Sequence, residues 1–327
     1  MRFGFYDEFR PCLVKPDGVV DISDLVGAFP GAPPQYVLET LINKFGQLRG
    51  ALETAQSNGK TIPLAQVRLR APVPRPGKVL CGRRNFKEGI PLDPPGPLRT
   101  FFKSPDAVIG PGDTVELPAF RASIFNHEAE LALVIGKEAK NVSIEKALDH
   151  VFGYTTGGDV SARGPVEGEA ELSGPYGKCF DTFLPLGPAI VTPDEVGDPN
   201  KLQIKFWVNG QLRQDYNTED MEHSVAFMIS TLSHNMTLKP GDLVLVGVNH
   251  SHLGPLQDGD IAEIEIEKVG RCSHHVRDPS KRTWPLLLRD PQVNIRRREG
   301  MKGKPHGGTW PHQPSTGGKE AGHLEQR

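Results

Sequence analysis

The stretch Phe125-Asn126-His127-Glu128-Ala129-Glu130-Leu131-Ala132-Leu133-Val134-Ile135 joins two acidic residues to an apolar run. The run that begins at Leu131 is rich in residues that favour β-structure, so it predicts a strand. Residues i and i+2 of a strand share a face at a spacing of about 6.5–7 Å, so Glu128 and Glu130 are expected to project together. Two such carboxylates repel each other and lose hydration on burial, and a divalent cation with oxygen ligands would remove both costs. A solvent-exposed strand end is the alternative, since paired acids cost little there.

Two further segments carry charged residues that suit such a site. Asp159 lies in a small, otherwise nearly uncharged segment and could supply a third oxygen, and Arg163 follows it and could neutralise a substrate carboxylate. Lys178 stands between Gly177 and an apolar stretch, where its ammonium could face a cavity. The ordinary alternatives are a turn or cap role for Asp159 and an exposed side chain for Lys178.

Length and composition exclude several classes of protein. The chain has 327 residues, 37% of them apolar and 24% charged, which allows a sizeable core and argues against wholesale disorder. Its 38 Lys and Arg against 40 Asp and Glu argue against a general nucleic-acid binder. No apolar run approaches the ~18 residues that could span a bilayer. Four widely spaced cysteines without a CxxC pair are typical of a reducing compartment. We therefore expect a soluble, cytoplasmic protein that binds neither nucleic acid nor membranes.

Residues 1–70 are expected to form a small α+β domain. Apolar patterning predicts its strands near residues 3–5, 12–14 and 18–22. Helical spacing of apolar side chains predicts one helix over residues 36–55. Residues 71–77, Ala-Pro-Val-Pro-Arg-Pro-Gly, cannot form a central strand or a helix interior, so they indicate a stiff, Pro-rich linker.

Residues 78–276 are expected to form the main, strand-rich domain. Its clearest strand is predicted over 261–269, where apolar residues alternate with glutamates. Helices are predicted from Ser143 through Phe152 and over 221–232. Residues 277–327 form a basic extension whose last ~25 residues, rich in Gly, Pro and His, are expected to lack a fixed fold.

Four ordered motifs of the main domain resemble the fumarylacetoacetate hydrolase family. They are Glu128–Lys137, Gly153–Arg163, Gly177–Pro188 and Val208–Thr218. The resemblance covers about residues 78–276. It implies an α+β, β-rich fold with a mixed β-roll or barrel-like catalytic domain behind a small N-terminal domain, and usually a homodimer.

The resemblance also implies a metal site and a class of reaction. A Mg2+ or Mn2+ ion would be held by Glu128, Glu130 and Asp159, beside a substrate-binding Lys178 that is also a catalytic candidate. The chemistry of the family is hydrolysis of C–C bonds in acylpyruvates or fumarylacetoacetate, or isomerisation or decarboxylation of related oxo acids. A cation that chelates the carboxylate and keto oxygens of a 2-oxo acid would stabilise the enolate formed on bond cleavage.

The shared motifs contain three further candidates for substrate binding. They are Arg163, Gln214 and Thr218. Gln214 matches the Gln of the family's N-G-x-x-R-Q motif, and Thr218 falls in the sequence that follows it.

The chain departs from the family pattern where a catalytic histidine is usual. The family generally has G-x-N-Y-x-x-H, whose histidine takes part in water activation, whereas Gly82–Gly89 has one extra residue and a glycine at the histidine position. Glu88 lies next to that position and is a catalytic candidate, with a surface glutamate as the alternative. His250 and His252 follow a second altered segment and could replace the missing base. Besides C–C hydrolysis, two alternatives stay open: an isomerase, hydratase or decarboxylase, and a non-catalytic, metal-stabilised scaffold.

Overall fold

The computed structural model describes residues 1–89, 95–119, 122, 124–163, 174–250 and 253–284. Strands dominate these residues. They are β1 (Arg2–Tyr6), β2 (Arg10–Lys15), β3 (Gly18–Asp21), β4 (Thr61–Pro63), β5 (Leu69–Arg70), β6 (Val79–Arg83), β7 (Arg99–Lys103), β8 (Val108–Ile109), β9 (Thr114–Glu116), β10 (Ile124–Asn126), β11 (Ala129–Ile135), β12 (Val151–Gly158), β13 (Ser161–Arg163), β14 (Leu184–Val191), β15 (Gln203–Val208), β16 (Gln211–Asn217), β17 (Leu243–Leu245), β18 (Ile261–Ile266) and β19 (Gly270–Arg277). The helices are α1 (Ser23–Val26), α2 (Pro34–Asn58), α3 (Ile144–Ala147), α4 (Pro193–Val196) and α5 (Val225–Asn235).

The strands form one large sheet and two smaller ones. The large sheet follows the order β4-β3-β2-β1-β14-β12-β11-β17-β6-β7, with β5 on β1 and β8 on β14. A second sheet has the order β16-β15-β18-β19-β9, and β10 pairs with β13. Most pairs are antiparallel, while β6–β17, β8–β14 and β9–β19 are parallel. The predicted β-rich, mixed α+β fold is thus confirmed, and in the described residues the large sheet has an open path instead of a closed barrel.

Strand β11 lies inside the large sheet, between β12 and β17. All seven of its residues are buried, because both of its faces are covered, so the run Leu131–Ile135 lacks a polar face. Strand β18 has one buried face, and there Ala262, Ile264 and Ile266 are buried as the alternation predicts.

Residues 1–70 contain the expected strands and helix, and they extend the same sheet. Strand β1 pairs antiparallel with β14, where Arg2 lies opposite Val191. The rings of Phe3, Phe45 and Phe152 pack with centroids 5.3–5.8 Å apart, which joins β1, α2 and β12. Residues 71–77 contain no helix or strand, as expected, although the first three are buried. The division into two domains on either side of this segment stays a prediction.

Two helix predictions were wrong in extent. The helix expected from Ser143 to Phe152 is only α3, since a 3-10 turn, Leu148–His150, follows it and β12 begins at Val151. Pairing of β12 with β11 outweighs the local helical pattern there. The helix expected over 221–232 is α5, shifted towards the C-terminus because Ser224 is its N-cap and accepts a hydrogen bond from Phe227 N.

The chain can be followed a short way beyond the main domain. Arg282 binds the carboxylate of Asp278 with its Nε at 2.8 Å from Oδ2. The remainder of the basic extension lies outside the described residues, so its expected lack of a fold is untested. None of the helices in the described ranges is long and apolar enough to cross a membrane.

Candidate active site

The register of β11 and β12 brings the three predicted acids together. Ala129 lies opposite Gly158, so Glu128 and Asp159 are adjacent where the two strands meet, and Asp159 N donates to Glu128 O at 2.8 Å. Glu128, Glu130 and Asp159 each present one carboxylate oxygen within 4.8 Å of those of the others. All three residues are buried, with at most 3% of their surface exposed, so a solvent-exposed strand end is excluded. Three buried oxygen ligands at this spacing can hold one hard cation.

The protein compensates the three negative charges unevenly. Burial alone would raise the pKa of Glu128, but Lys178, Arg163 and, more weakly, His250 lower it below its usual range. Burial raises the pKa of Glu130 well above its usual value, and the neighbouring carboxylates raise it further. Glu130 Oε2 accepts a hydrogen bond from Gly247 N at 2.7 Å. A divalent cation would therefore neutralise negative charge of the three carboxylates.

Lys178 and Arg163, which the sequence predicted as substrate-binding residues, both contact the acids. Lys178 Nζ donates to Glu128 Oε2 at 2.8 Å, to Ser161 Oγ at 2.6 Å and to Asp159 Oδ2. Burial alone would lower the pKa of Lys178, but Asp159 and Glu128 outweigh it and raise that pKa. Arg163 Nη2 donates to Glu128 Oε1. Lys178 is 7% exposed, so the alternative of a solvent-exposed lysine is excluded.

Gln214 forms hydrogen bonds with residues next to the three acids. Its Oε1 accepts from Ala129 N at 3.3 Å and lies 3.2 Å from His127 Nδ1, and its Nε2 donates to Asn249 O at 2.9 Å. Gln214 therefore ties the start of β11 to the chain after β17. Both polar atoms of its amide bind protein, which favours a positioning role over the predicted contact with substrate.

Thr218 is joined to other backbone groups. Its hydroxyl donates to Pro199 O at 2.9 Å and accepts from Leu202 N at 2.9 Å. Neither partner is one of the three acids or Lys178, and the predicted role of Thr218 in substrate binding stays a prediction.

His127 has a packing role. Its ring stacks on Phe206 with centroids 4.0 Å apart, and Nε2 accepts from Gly254 N at 3.1 Å. Burial lowers the pKa of His127 to about 3, so the imidazole is neutral at physiological pH.

Glu88 and His250 form a pair that the sequence did not predict. His250 Nδ1 lies 2.6 Å from Glu88 Oε1, which also accepts from His250 N at 3.0 Å. Asp220 Oδ2 accepts from Glu88 N at 3.0 Å and from Asn249 Nδ2 at 2.8 Å. These bonds hold Glu88 at φ +52°, a strained conformation for a non-glycine residue. Glu88 is 9% exposed and not a surface residue, whereas His252 lies outside the described residues.

Sequence reasoning also missed Lys103. Its ammonium lies 2.6 Å from Asp159 Oδ1, and its side chain is completely buried. The signal that could have found it is a lysine directly after Phe101 and Phe102 and directly before Ser104 and Pro105, where a charged side chain that turns inward needs a partner.

Comparison with known proteins places this geometry in context. The model of the fumarylacetoacetate (FAA) hydrolase C-terminal family matches residues 80–277. The mitochondrial oxaloacetate tautomerase of Xenopus laevis is 38% identical over 244 residues, which cover 69% of this chain and 75% of that protein. The maleylpyruvate hydrolase of Aquipseudomonas alcaligenes is 32% identical over 293 residues, 85% of this chain and 99% of that one.

A solved structure is similar over most of the chain. The maleylpyruvate hydrolase of Sphingobium sp. SYK-6, crystallised with manganese(II) and pyruvate, has a TM-score of 0.77 and 40% identity. The match covers 85% of this chain and 99% of that chain.

Proposed function

Since the chain belongs to the fumarylacetoacetate hydrolase family, we propose that it is a divalent-metal-dependent enzyme that cleaves a C–C bond in a small 2-oxo or 1,3-dicarbonyl acid. The observation that carries the proposal is the convergence of Glu128, Glu130 and Asp159 in a buried site beside Lys178. The relatives named as a maleylpyruvate hydrolase and an oxaloacetate tautomerase support an oxo-acid substrate.

The three carboxylates suit Mg2+ or Mn2+. Both are hard cations that prefer oxygen ligands, and Glu128, Glu130 and Asp159 would hold the ion. The manganese in the similar maleylpyruvate hydrolase structure supports this assignment. When bound, the cation would act as a Lewis acid towards the carboxylate and keto oxygens of a 2-oxo acid.

Lys178 and Arg163 bring positive charge to the acid substrate. The ammonium of Lys178 lies beside Glu128 and Asp159, where it would stabilise the negative charge that develops on the keto oxygen as the C–C bond breaks. Arg163 holds Glu128 and would attract the substrate carboxylate.

The Glu88–His250 pair would activate water. A carboxylate oxygen only accepts hydrogen bonds, so the proton lies on His250 Nδ1 and Nε2 is the basic nitrogen. Nε2 would take a proton from water as the water oxygen attacks the carbonyl carbon remote from the carboxylate. The C–C bond then breaks, its electron pair passes to the 2-oxo fragment as an enolate, and the imidazolium returns its proton to the enolate carbon. Glu88 would stabilise the imidazolium formed in this step.

A tautomerase of a 2-oxo acid is the second candidate. The relatives of 36–38% identity include several oxaloacetate tautomerases. Keto–enol exchange needs only the transfer of a proton at the carbon next to the keto group, so it could use His250 without attack by water. An isomerase, hydratase or decarboxylase would share these requirements, whereas a scaffold would have no use for an acid–base pair beside the acids.

A turnover assay separates these candidates. The chain is incubated with an acylpyruvate, maleylpyruvate or enol-oxaloacetate and millimolar Mg2+ or Mn2+. Hydrolysis releases two acids, whereas tautomerisation changes only the ultraviolet spectrum of oxaloacetate. Glu128→Ala should lower turnover by about 100-fold or more, because it removes a metal ligand and the partner of Lys178. Glu265→Ala, at an exposed residue of β18, is the matched control. Turnover that survives Glu128→Ala unchanged would exclude the proposed mechanism.

We also propose that the chain forms a homodimer and that it is cytoplasmic. These proposals are supported by the family resemblance and by the cysteine spacing, respectively.

A further inference from the structure

Lys103 lies at the end of an edge strand and turns its side chain inward. It is the last residue of β7, and Ser104 caps the 3-10 turn that follows by accepting from Asp106 N. Along β7 the residues before it are mostly exposed or half-buried, whereas the side chain of Lys103 has no exposed surface. A fully buried lysine is rare unless it has charged or polar partners.

The ammonium of Lys103 has three acceptors. Nζ donates to Asp159 Oδ1 at 2.6 Å, to Val160 O at 3.2 Å and to Lys178 O at 2.5 Å. An ammonium has three N–H donors, so these contacts use them all. Lys103 therefore cannot donate a hydrogen bond to a substrate. Any effect of Lys103 on the reaction must be transmitted through Asp159 and Lys178.

The two lysines share the carboxylate of Asp159. Lys103 binds Oδ1, whereas Lys178 binds Oδ2, the oxygen on the side of Glu128. Because Lys103 holds Oδ1, the plane of the carboxylate is set and Oδ2 is directed towards Lys178, which also binds Glu128. The contact with Lys178 O also fixes the backbone from which the second ammonium projects.

We propose that Lys103 is a positioning residue for the cation site: it compensates the charge of Asp159, orients Oδ2 and anchors Lys178. The proposal rests on the proposed function, because it assumes that Asp159 is a metal ligand. Groups that hold metal ligands in place influence metal affinity strongly, typically by 10- to 100-fold on substitution. The competing explanation is that the ion pair of Lys103 and Asp159 stabilises the fold and has no effect on the affinity for the cation.

The chain offers a matched control for that competing explanation. Lys78 Nζ lies 2.6 Å from Asp242 Oδ2, and the side chain of Asp242 is 2% exposed. Lys78→Met and Lys103→Met each remove one ammonium from a buried aspartate, although Asp159 keeps its contact with Lys178. They differ in that Asp242 is not one of the three clustered acids.

The test measures the dissociation constant of Mn2+ for the full-length chain by electron paramagnetic resonance. We expect Lys103→Met to weaken Mn2+ binding by about 10- to 100-fold, and Lys78→Met to change it less than about twofold. Unchanged affinity in Lys103→Met, or equal losses in both variants, would overturn the proposal. If the unaltered chain itself binds no Mn2+, both the proposed function and the role of Lys103 are wrong. If the unaltered chain binds Mn2+ and Lys103→Met binds it equally well, only the proposed role of Lys103 is wrong.

A double variant decides the question if Lys103→Met does not fold. Asp159→Asn removes the charge that Lys103 compensates, and Lys103→Met/Asp159→Asn removes both charges, so no buried charge is left unpaired. Lys103 acts on the cation through the carboxylate of Asp159, whereas its contact with Lys178 O concerns a residue that is not one of the three acids. Once Asp159 is asparagine, loss of Lys103 should therefore leave the Mn2+-dependent rise in melting temperature unchanged up to 10 mM cation. A smaller rise in the double variant would contradict the proposal.

Discussion

At the scale of single residues, the carboxylate of Glu88 determines which nitrogen of His250 can exchange a proton. The contact of 2.6 Å assigns the proton to Nδ1, so Nε2 is the nitrogen that the proposed mechanism uses as its base. Asp220 holds the backbone of Glu88 and the amide of Asn249, the residue before His250. Both members of the pair are thus fixed by one carboxylate, which favours a stable orientation of the imidazole.

Glu88→Gln tests the charge of the pair. The glutamine can still accept from Nδ1, but it no longer stabilises the imidazolium, so we expect kcat for C–C hydrolysis to fall by about 10²- to 10⁴-fold with a smaller change in KM. His250→Asn should have a similar effect, and the double variant should lose little more, because the two residues act as a unit. Steady-state kinetics measure all three.

His275→Asn, on the exposed face of β19, is the control for the loss of a histidine. If Glu88→Gln and His250→Asn each keep kcat within twofold of the unaltered chain, the pair is not the base. A chain that loses hydrolysis but keeps tautomerisation would favour the second candidate function.

The sequence predicted the acids better than it predicted their partners. Strand periodicity alone puts Glu128 and Glu130 on one face. Asp159 was a candidate because its segment is otherwise nearly uncharged, and the family resemblance then assigned it as the third ligand. Glu88 and His250 are 162 residues apart in the chain, and no periodic pattern indicates which distant segments will meet. The contact of Lys103 with Asp159 has the same origin, since it depends on the pairing of β6 with both β7 and β17.

At the scale of elements, patterning succeeds where a strand has one buried face. Strand β18 is predicted from its alternation of apolar residues and glutamates. Residues after Ser143 instead combine a good helix start with a β-forming segment, and sheet pairing decides in favour of β12 at Val151. The local sequence could not show whether these residues form a helix or a strand, because the hydrogen bonds that stabilise the strand come from β11.

Strand β19 places a histidine on its buried face, and this predicts a pH dependence of stability. Burial, with a smaller contribution from His275, lowers the pKa of His274 from 6.5 to about 4. Between these values the unfolded chain binds a proton that the folded chain does not, so stability decreases as the pH falls from about 6.5 towards 4. The loss attributable to His274 at pH 5 is about 2 kcal/mol.

Urea unfolding at pH 7 and pH 5 measures this effect. His274→Leu should lose about 2 kcal/mol less stability than the unaltered chain between these two pH values. His275→Leu is the matched control, since its side chain is exposed on the same strand. An equal pH dependence in His274→Leu and the unaltered chain would mean that His274 does not titrate as its burial predicts.

At the scale of the whole molecule, one sheet connects the N-terminal region with the cation site. Strand β1 pairs with β14, β14 with β12, and β12 with β11, at whose start the acids converge. Thr192 N also donates to Met1 O at 2.9 Å. The Pro-rich residues 71–77 predicted two separate domains, whereas hydrogen bonding across β1 and β14 favours cooperative unfolding.

A cation at Glu128, Glu130 and Asp159 should therefore stabilise strands far from it. A ligand that binds only the folded chain adds about 2.7 kcal/mol at 100 times its dissociation constant. The amides to compare are those that exchange only when the whole chain unfolds. If unfolding is cooperative, Mn2+ should slow hydrogen exchange at such amides in β1 as much as in β12. Glu128→Ala should abolish both effects, and excess EDTA should reverse them in the unaltered chain. If Mn2+ slows exchange in β12 and leaves exchange in β1 unchanged, residues 1–70 unfold as a separate domain. The reason is that a bound cation stabilises only the elements that unfold together with its site.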